Sequence, residues 1–280
     1  MRSVGALLAD GTAALRAVSD SPRADAALLL SSALSRGREW LAAHEDAVPA
    51  RPEIEAFEAL CNRRREGVPI AYVLGTAGFY GREFAVDESV LVPRPESEHL
   101  IDESLRFIRG EMRALDVGCG SGAIACTLAA SGAAFVDATD SSPAAIAVAR
   151  RNAERLGVAR RCTFHLGDLI GPVLANRYGL VVANLPYVPS GDLPRRPDSA
   201  SFEPRAALDG GPDGLVLYRR LLAGLAPLLE PVALVLLEAA PPTIARLAEL
   251  TRSALPEFAV AVGDDYAGLA RYVRAERPQV

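Results

Sequence analysis

The sequence lacks lysine, and all 30 of its basic residues are arginines. Reactions that need a lysine amine, such as Schiff-base formation, and phosphate capture by a P-loop lysine are therefore excluded. Acidic residues outnumber basic ones, so the chain carries a net charge of −5 at pH 7. Proteins that neutralise many phosphates of a duplex are usually basic, so we expect no stable nucleic-acid binding.

Cysteine and histidine are scarce, with four and three residues. No two cysteines form a CxxC pair and the histidines are scattered, so the sequence predicts neither a metal site nor a disulfide framework. Free thiols are typical of a reducing compartment, which predicts a cytoplasmic protein.

Long apolar runs are also absent, apart from one uncharged stretch of 20 residues at 117–136. Its four glycines and two serines would make it insert poorly into a bilayer, and a strand, loop and helix explain it better. Half of the chain is hydrophobic and 23% is charged, which is typical of a globular protein rather than a disordered one.

Three parts follow one another along the chain. Residues 1–74 have apolar side chains three and four positions apart and predict a small helical domain. Residues 75–95 place glycines between aromatic and β-branched residues, which predicts a β-hairpin connector ending at Pro93-Arg94-Pro95. Within the first part, Arg63-Arg64-Arg65 is interpreted as a solvated helix face, with contact to a partner protein or ribosomal RNA as the alternative.

In residues 96–280, short apolar strands alternate with helices, which predicts an α/β fold with a doubly wound, mostly parallel sheet covered on both faces. Strands are predicted at 114–117, 134–139, 162–166, 180–183, 233–237 and 259–262. Helices are predicted at 97–108, 123–130 and 143–156. The proline-rich residues 186–212 predict a long loop, and long loops in compact domains are often functional.

A glycine-rich turn follows the first of these strands. It runs Asp116-Val117-Gly118-Cys119-Gly120-Ser121-Gly122 and lies where a strand turns into a helix. Glycines there let the backbone approach a ligand closely, because no Cβ intervenes. The spacing is GxGxG, not the GxGxxG of dinucleotide binders. The carboxylate before the glycines, Asp116, suits the ammonium group of an amino acid, whereas a tight turn without a ligand is the alternative.

Two more carboxylates follow the next two predicted strands. Asp140 is placed to accept both hydroxyls of a ribose, with a helix N-cap as the alternative. Asp168 is placed to accept from an adenine amino group, with a solvated turn as the alternative. Together with the glycine-rich turn they indicate a nucleoside that carries an amino acid, and S-adenosylmethionine fits this description better than NAD.

The tetrapeptide Asn184-Leu185-Pro186-Tyr187 follows the fourth predicted strand. Ligands of open α/β sheets bind at the carboxyl ends of strands. The Asn184 side-chain oxygen and the Leu185 carbonyl can accept both N–H bonds of one planar NH2 group, and Tyr187 can pack on a planar substrate. An ordinary proline loop is the alternative.

These motifs together resemble the HemK/PrmC family of protein-(glutamine-N5) methyltransferases over nearly the whole chain. Residues 116–125 match the cofactor loop of that family, and residues 184–187 stand at its Asn-Pro-Pro-Tyr signature. Further family-like segments are Arg64-Arg65-Glu66-Gly67, Pro69-Ile70-Ala71-Tyr72-Val73-Leu74-Gly75, Phe79-Tyr80-Gly81, Val92-Pro93-Arg94-Pro95-Glu96, Phe202-Glu203-Pro204-Arg205-Ala206-Ala207-Leu208-Asp209-Gly210-Gly211 and Asp213-Gly214-Leu215.

The resemblance implies a Rossmann-like, S-adenosylmethionine-dependent methyltransferase domain at 96–280 and a substrate-recognition role for 1–74. It implies methylation of the Gly-Gly-Gln glutamine of peptide-chain release factors, and hence a part in translation termination. It also assigns Glu203 to orienting the signature loop. We expect a monomer.

Three departures from the family pattern bear on the substrate. Leu185 replaces the first proline of the signature, Leu169 replaces a frequent tryptophan beside the adenine position, and residues 239–242 replace an Ile-Gly segment. A paralogue with another amide or amine substrate, an adenine-N6 DNA methyltransferase and a non-catalytic cofactor-binding scaffold therefore remain as alternatives.

Overall fold

The structure, a computed structural model, describes residues 2–133 and 135–277. Ala134, the first residue of a predicted strand, lies outside the described residues, as do Met1 and residues 278–280 at the ends of the predicted domains. The chain forms two units. One comprises Met1–Thr76 and Pro194–Phe202, and the other comprises Ala77–Leu193 and Glu203–Val280.

The first unit contains helices α1 (Val4–Leu15), α2 (Pro22–Leu34), α3 (Arg38–Ala43), α4 (Arg51–Arg65) and α5 (Ile70–Leu74). The second helix has Ser21 as its N-cap and Pro22 as its first residue, a position where proline loses no helical hydrogen bond. Apolar residues from α1, α2 and α4, including Leu7, Leu29 and Phe57, form one buried cluster.

The interpretation of Arg63-Arg64-Arg65 as a solvated face is wrong for its central residue. Arg64 is buried and pairs with Asp25 at 2.9 Å. It also donates to the Val18 carbonyl at 2.6 Å. A buried guanidinium has to be paired and hydrogen-bonded, so Arg64 connects α4 to α2 and to the segment that follows α1.

The predicted hairpin is shorter than the sequence pattern indicated. Strands β1 (Thr76–Phe79) and β2 (Arg82–Ala85) form a two-stranded sheet. Beyond Ala85 the described chain has no strand up to Pro95. Val86 and Val90 are buried there, so their apolar character reflects core packing rather than strand pairing.

A seven-stranded sheet lies at the centre of the second unit. Its strands are β3 (Arg113–Val117), β4 (Phe135–Asp140), β5 (Cys162–Leu166), β6 (Tyr178–Ala183), β7 (Leu229–Glu238), β8 (Ala259–Asp264) and β9 (Ala270–Arg277). Their order is β5-β4-β3-β6-β7-β9-β8. The first five pair in parallel, and β9 runs antiparallel to both of its neighbours. The predicted doubly wound, mostly parallel sheet is confirmed, whereas β9 was not predicted because Arg271, Arg274 and Glu276 interrupt its apolar pattern.

Alternate residues of the central strands enter two separate cores. On β6, Leu180 and Val182 face the cluster that contains apolar residues of α6 (Glu98–Phe107), α7 (Ala123–Ser131) and α8 (Pro143–Arg155). Val181 faces the cluster that contains residues of α9 (Val216–Leu225) and α10 (Pro241–Ala254). Both helices of this second face were missing from the sequence prediction. Burial on both faces explains why these strands are almost wholly apolar. No described helix is long and apolar enough to cross a membrane.

Candidate functional site

The strand order reverses between β3 and β6, and ligands of open α/β sheets bind beside such a point. Val117, the last residue of β3, pairs with Ala183, the last residue of β6. Gly118 and Asn184 follow directly, so the glycine-rich turn and the Asn184 tetrapeptide lie side by side. A Cβ at Gly118 would stand 2.8 Å from the Leu185 side chain, which is closer than a carbon contact allows.

The glycine-rich turn is joined to the end of β4. The amides of Gly118 and Cys119 both donate to the Thr139 carbonyl at 2.9 Å. The amide of Gly120 donates to Asp140 Oδ2 at 2.9 Å. Gly118 has φ +76°, a left-handed conformation that glycine adopts without a steric penalty. The backbone conformation and these hydrogen bonds therefore hold the turn against the carboxylate that follows β4.

A cavity of about 190 Å³ runs along these strand ends. Most of the predicted binding residues line it, namely Gly118, Gly120, Asp140, Asp168, Leu169, Asn184, Leu185 and Pro186. Residues that the sequence did not single out also line it, among them Leu91, Thr139 and Leu217. The three segments predicted to bind a nucleoside therefore meet in one cavity.

Asp116 lies outside the lining of this cavity. Its Oδ2 accepts from the Ala125 amide at 3.0 Å, which holds the start of α7. Its Oδ1 has no partner among the described residues. Burial raises the pKa of Asp116 to about 7, and the nearby Asp140 charge adds to this increase. The unpartnered oxygen fits a cationic group, but the role of Asp116 toward an ammonium group stays a prediction.

Cys119, Ser121 and Gly122 also stand away from the cavity lining. Cys119 and Ser121 are buried, and the Ser121 carbonyl accepts from Asn152 at 2.9 Å. A Cβ at Gly122 would meet the Ala149 side chain of α8 at 3.0 Å. These residues shape the turn and pack it against α8.

The third predicted carboxylate, Asp168, is exposed and forms an ion pair with Arg220 of α9. The next residue, Leu169, has φ +47°, a rare conformation for a residue with a branched side chain. Leu169 also packs against the apolar cluster that contains residues of α9 and α10. The predicted adenine position thus has a carboxylate and an apolar wall, without the aromatic ring that is frequent in the family it resembles.

A second cavity, of about 100 Å³, adjoins the first. Both are lined by Leu91, Asn184, Leu185, Pro186 and Ala207. Arg94 and Tyr187 line only the second. Among the described residues that line both cavities, only Asn184 has an amide side chain.

The Asn184 side chain is held in one direction. Its Nδ2 donates to the Ser97 hydroxyl at 2.9 Å. With the NH2 group engaged in this way, Oδ1 is the end that remains to accept a hydrogen bond. Burial raises the pKa of the neighbouring Tyr187 to about 12, so its phenol is neutral and presents an apolar ring.

Leu185 has a hydrogen bond that a proline at this position cannot form. Its amide donates to the Tyr218 hydroxyl at 3.1 Å. The Tyr218 hydroxyl in turn donates to the backbone carbonyl of Glu238. These two hydrogen bonds connect the tetrapeptide to α9 and to the end of β7.

Glu203 is buried and accepts from the Val92 amide at 3.1 Å and from Arg94. Its described contacts thus hold the segment that carries Arg94 to the second cavity. The predicted action of Glu203 on the signature loop itself stays a prediction.

Sequence reasoning missed Ser97, Tyr218 and Glu238. Glu238 ends β7 beside Asn184, so the rule that identified Asp140 would also have found it. No local signal marked Ser97 or Tyr218, which are distant in sequence from the residues they contact.

Comparison with known proteins gives two family matches. Residues 6–75 match the model described as the PrmC N-terminal domain. Residues 114–196 match the model described as a methyltransferase domain, which includes the glycine-rich turn and the Asn184 tetrapeptide.

Two curated relatives share much of the chain. The release factor glutamine methyltransferase of Moorella thermoacetica is 39% identical over 261 residues, which is 92% of each chain. The enzyme of the same name from Geobacter sulfurreducens is 41% identical over 214 residues, which is 76% of this chain and 75% of that one.

Solved structures share the fold at low sequence identity. A methyltransferase from Pyrococcus furiosus has a TM-score of 0.55 at 20% identity and covers 78% of this chain and 99% of its own. A 16S rRNA methyltransferase from T. thermophilus, solved with AdoMet and guanosine, has a TM-score of 0.51 at 18% identity and covers 72% of this chain and 50% of its own. At these identities the likeness shows the fold alone.

Proposed function

Because the chain belongs to the family of release factor glutamine methyltransferases, we propose that it transfers a methyl group from S-adenosylmethionine to the side-chain amide nitrogen of the Gly-Gly-Gln glutamine of peptide-chain release factors. The observation that carries this function is the position of Asn184 in the wall shared by two adjoining cavities. A methyl donor in one cavity and an amide in the other would meet at this residue.

The lining of the larger cavity supports S-adenosylmethionine as the cofactor. Asp140 would accept from the ribose hydroxyls, and Asp168 with Leu169 would receive the adenine. Gly118 and Gly120 would present backbone without side chains to the methionine part. Asp116 lies outside the lining of this cavity, and its unpartnered, buried oxygen would accept from the ammonium group. When bound, the cofactor supplies an electrophilic methyl group on a sulfonium and leaves as a neutral thioether, so the site needs no general acid.

The chain's own residues must make a poor nucleophile react. An amide nitrogen shares its lone pair with its carbonyl, and at neutral pH it is not deprotonated. Asn184 Oδ1 and the Leu185 carbonyl would accept both amide hydrogens and hold the nitrogen toward the larger cavity. The same oxygens would stabilise the positive charge that develops on the nitrogen, and one amide proton leaves after the transfer to give the neutral N-methyl amide. Tyr187 would pack on the flat amide and exclude water.

The relatives favour this substrate over the alternatives. Both compared relatives are release factor glutamine methyltransferases, and one matches 92% of the chain. A DNA adenine acceptor or a different amide substrate has no comparable support. The cytoplasmic location and the monomeric state stay predictions.

The first test incubates the purified chain with S-adenosylmethionine and an unmodified release factor. Mass spectrometry should find one added methyl group on the Gly-Gly-Gln glutamine. Asn184→Ala should lower turnover by about a thousandfold, the scale seen when a charge-stabilising group is removed, and should leave cofactor affinity within a few-fold. Glu249→Gln, an exposed change on α10, is the matched control.

Two outcomes would contradict the proposal. Cofactor binding without transfer to the release factor would remove the substrate assignment and favour a scaffold. Full activity of Asn184→Ala would remove the mechanism while leaving the substrate in place.

A further inference from the structure

A buried carboxyl group lies behind Asn184. The parallel pairing of Ala183 with Leu237 sets the residues after them, Asn184 and Glu238, side by side at the ends of β6 and β7. Glu238 is 1% exposed, and neither of its carboxyl oxygens has a fully formed hydrogen bond among the described residues. Burying a carboxyl group without such partners is costly, so its position beside the reacting amide calls for an explanation.

Ser97 connects this carboxyl group to Asn184. The Ser97 oxygen accepts from Asn184 Nδ2 at 2.9 Å, and Ser97 itself is buried. The Ser97 hydroxyl and the Asn184 side chain are near enough to lower the pKa of Glu238, although neither contact has the geometry of a complete hydrogen bond. A hydroxyl has one hydrogen to donate, and Glu238 is the adjacent carboxyl acceptor for it.

We propose that Glu238, acting through Ser97, is a positioning residue that determines which end of the Asn184 amide faces the acceptor cavity. This inference rests on the proposed methyl transfer to an amide, which needs the oxygen of Asn184 rather than its NH2 group at that cavity.

The orientation follows from the donors and acceptors available. An ionised Glu238 carries no proton and can only accept, so the Ser97 hydroxyl donates to it. The Ser97 oxygen then accepts from Asn184 Nδ2, which leaves Oδ1 toward the cavity. A protonated Glu238 can instead donate to the Ser97 oxygen. The Ser97 hydrogen is then free to bond Asn184 Oδ1, and the amide turns its NH2 group toward a substrate that also presents NH2.

The surroundings of Glu238 place this change near neutral pH. Burial raises the pKa of Glu238 to about 7, against the opposing effects of Ser97, Arg271 and Asn184. The titratable and charged groups that face it come from four elements: Glu96 on the 3-10 helix Pro95–Ser97, Arg271 on β9, Tyr187 after β6 and Tyr218 on α9. Glu96 raises the pKa of Glu238, whereas Arg271 lowers it. The carboxyl is thus ionised above about pH 7 and protonated below it, so turnover should fall toward acid pH.

The kinetic test measures turnover between pH 5.5 and 8.5 at saturating substrates. The chain should be about tenfold slower at pH 6 than at pH 8, as expected for one group that titrates near 7. In Glu238→Gln, turnover should no longer fall toward acid pH, and the KM for the cofactor should stay within twofold of the unchanged protein's value. The control Glu249→Gln should keep the acid-side fall. An acid-side fall that persists in Glu238→Gln would overturn the proposal.

A second test needs no cofactor or substrate. In 15N-labelled protein, the side-chain NH2 signal of Asn184, identified by its loss in Asn184→Asp, should shift with pH around 7. Glu238→Gln and Ser97→Ala should each abolish this titration, and the backbone spectrum of each variant reports whether it folds. A titration that survives in a folded Ser97→Ala would show that Ser97 is not the connection.

The two tests separate this inference from the proposed function. If no release factor is methylated, the proposed function fails, while the NH2 titration still decides whether Glu238 orients Asn184. If methylation occurs and neither test responds to Glu238→Gln, only the positioning role falls.

Discussion

Leu185 shows how a single departure from a family signature is accommodated. A proline there would pre-set the backbone but has no N–H to donate. In this chain the Leu185 amide is buried and donates to the Tyr218 hydroxyl, and the Leu185 side chain packs against Gly118. A hydrogen bond and a packing contact therefore take over the rigidity that a ring would supply.

This arrangement predicts a specific dependence on Tyr218. Tyr218→Phe should lower the free energy of unfolding by about 1–3 kcal/mol, because it leaves the buried Leu185 amide without an acceptor. It should also reduce turnover more than cofactor affinity. Leu185→Pro combined with Tyr218→Phe should cost less than the sum of the two changes, since proline has no N–H to satisfy. Additive effects in this double-mutant cycle, measured by urea unfolding, would contradict the account.

The candidate site is formed by the ends of four neighbouring strands. Strands β4, β3, β6 and β7 are neighbours in this order and run parallel, so their carboxyl ends lie at the same edge of the sheet. Asp116 on β3 and Glu238 on β7 are both buried there, and burial raises the pKa of each to about 7. Burial thus disfavours the ionised form of both carboxyl groups.

These carboxyl groups predict an uncommon pH dependence of stability. Unfolded, both titrate near pH 4, so between about pH 4 and 7 the folded state binds more protons than the unfolded one. The free energy of unfolding should therefore rise as pH falls from 8 to 5, by on the order of a few kcal/mol for each group. Asp116→Asn with Glu238→Gln should flatten this slope in urea unfolding. A wild-type chain that is most stable at pH 8 would contradict it.

At the scale of the molecule, each unit has its own hydrophobic core. The cavity assigned to the cofactor is lined only by residues of the second unit, as described. The single tryptophan, Trp40, packs against the core of the first unit. Ligand binding and tryptophan fluorescence therefore report on different units.

A cofactor product should stabilise one unit selectively. S-adenosylhomocysteine at about a hundred times its dissociation constant should raise the free energy of unfolding of the second unit by about 2.7 kcal/mol. Calorimetry should show this shift, while the Trp40 fluorescence transition stays in place. Equal shifts of both signals would instead show that the two units unfold together.

The sequence by itself determined the alternating strands and helices up to β6, the glycine-rich turn, Asp140 and the Asn184 tetrapeptide. These features depend on neighbouring residues, because periodicity, turn chemistry and the position after a strand are local properties. The rule on strand ends was enough to bring them to one edge of the sheet, since it needs only the order of elements along the chain. The resemblance to one family then supplied the substrate.

Only the tertiary structure decided how the reacting amide is held. Ser97 and Asn184 are 87 positions apart, and Val92 and Glu203 are 111 positions apart. Glu238 reaches Asn184 because two parallel strands pair in one register. Burial and hydrogen-bond direction depend on everything packed around a group, so no local pattern contains them. The sequence therefore identifies residues of the site, and the fold determines the orientation and the charge of the groups within it.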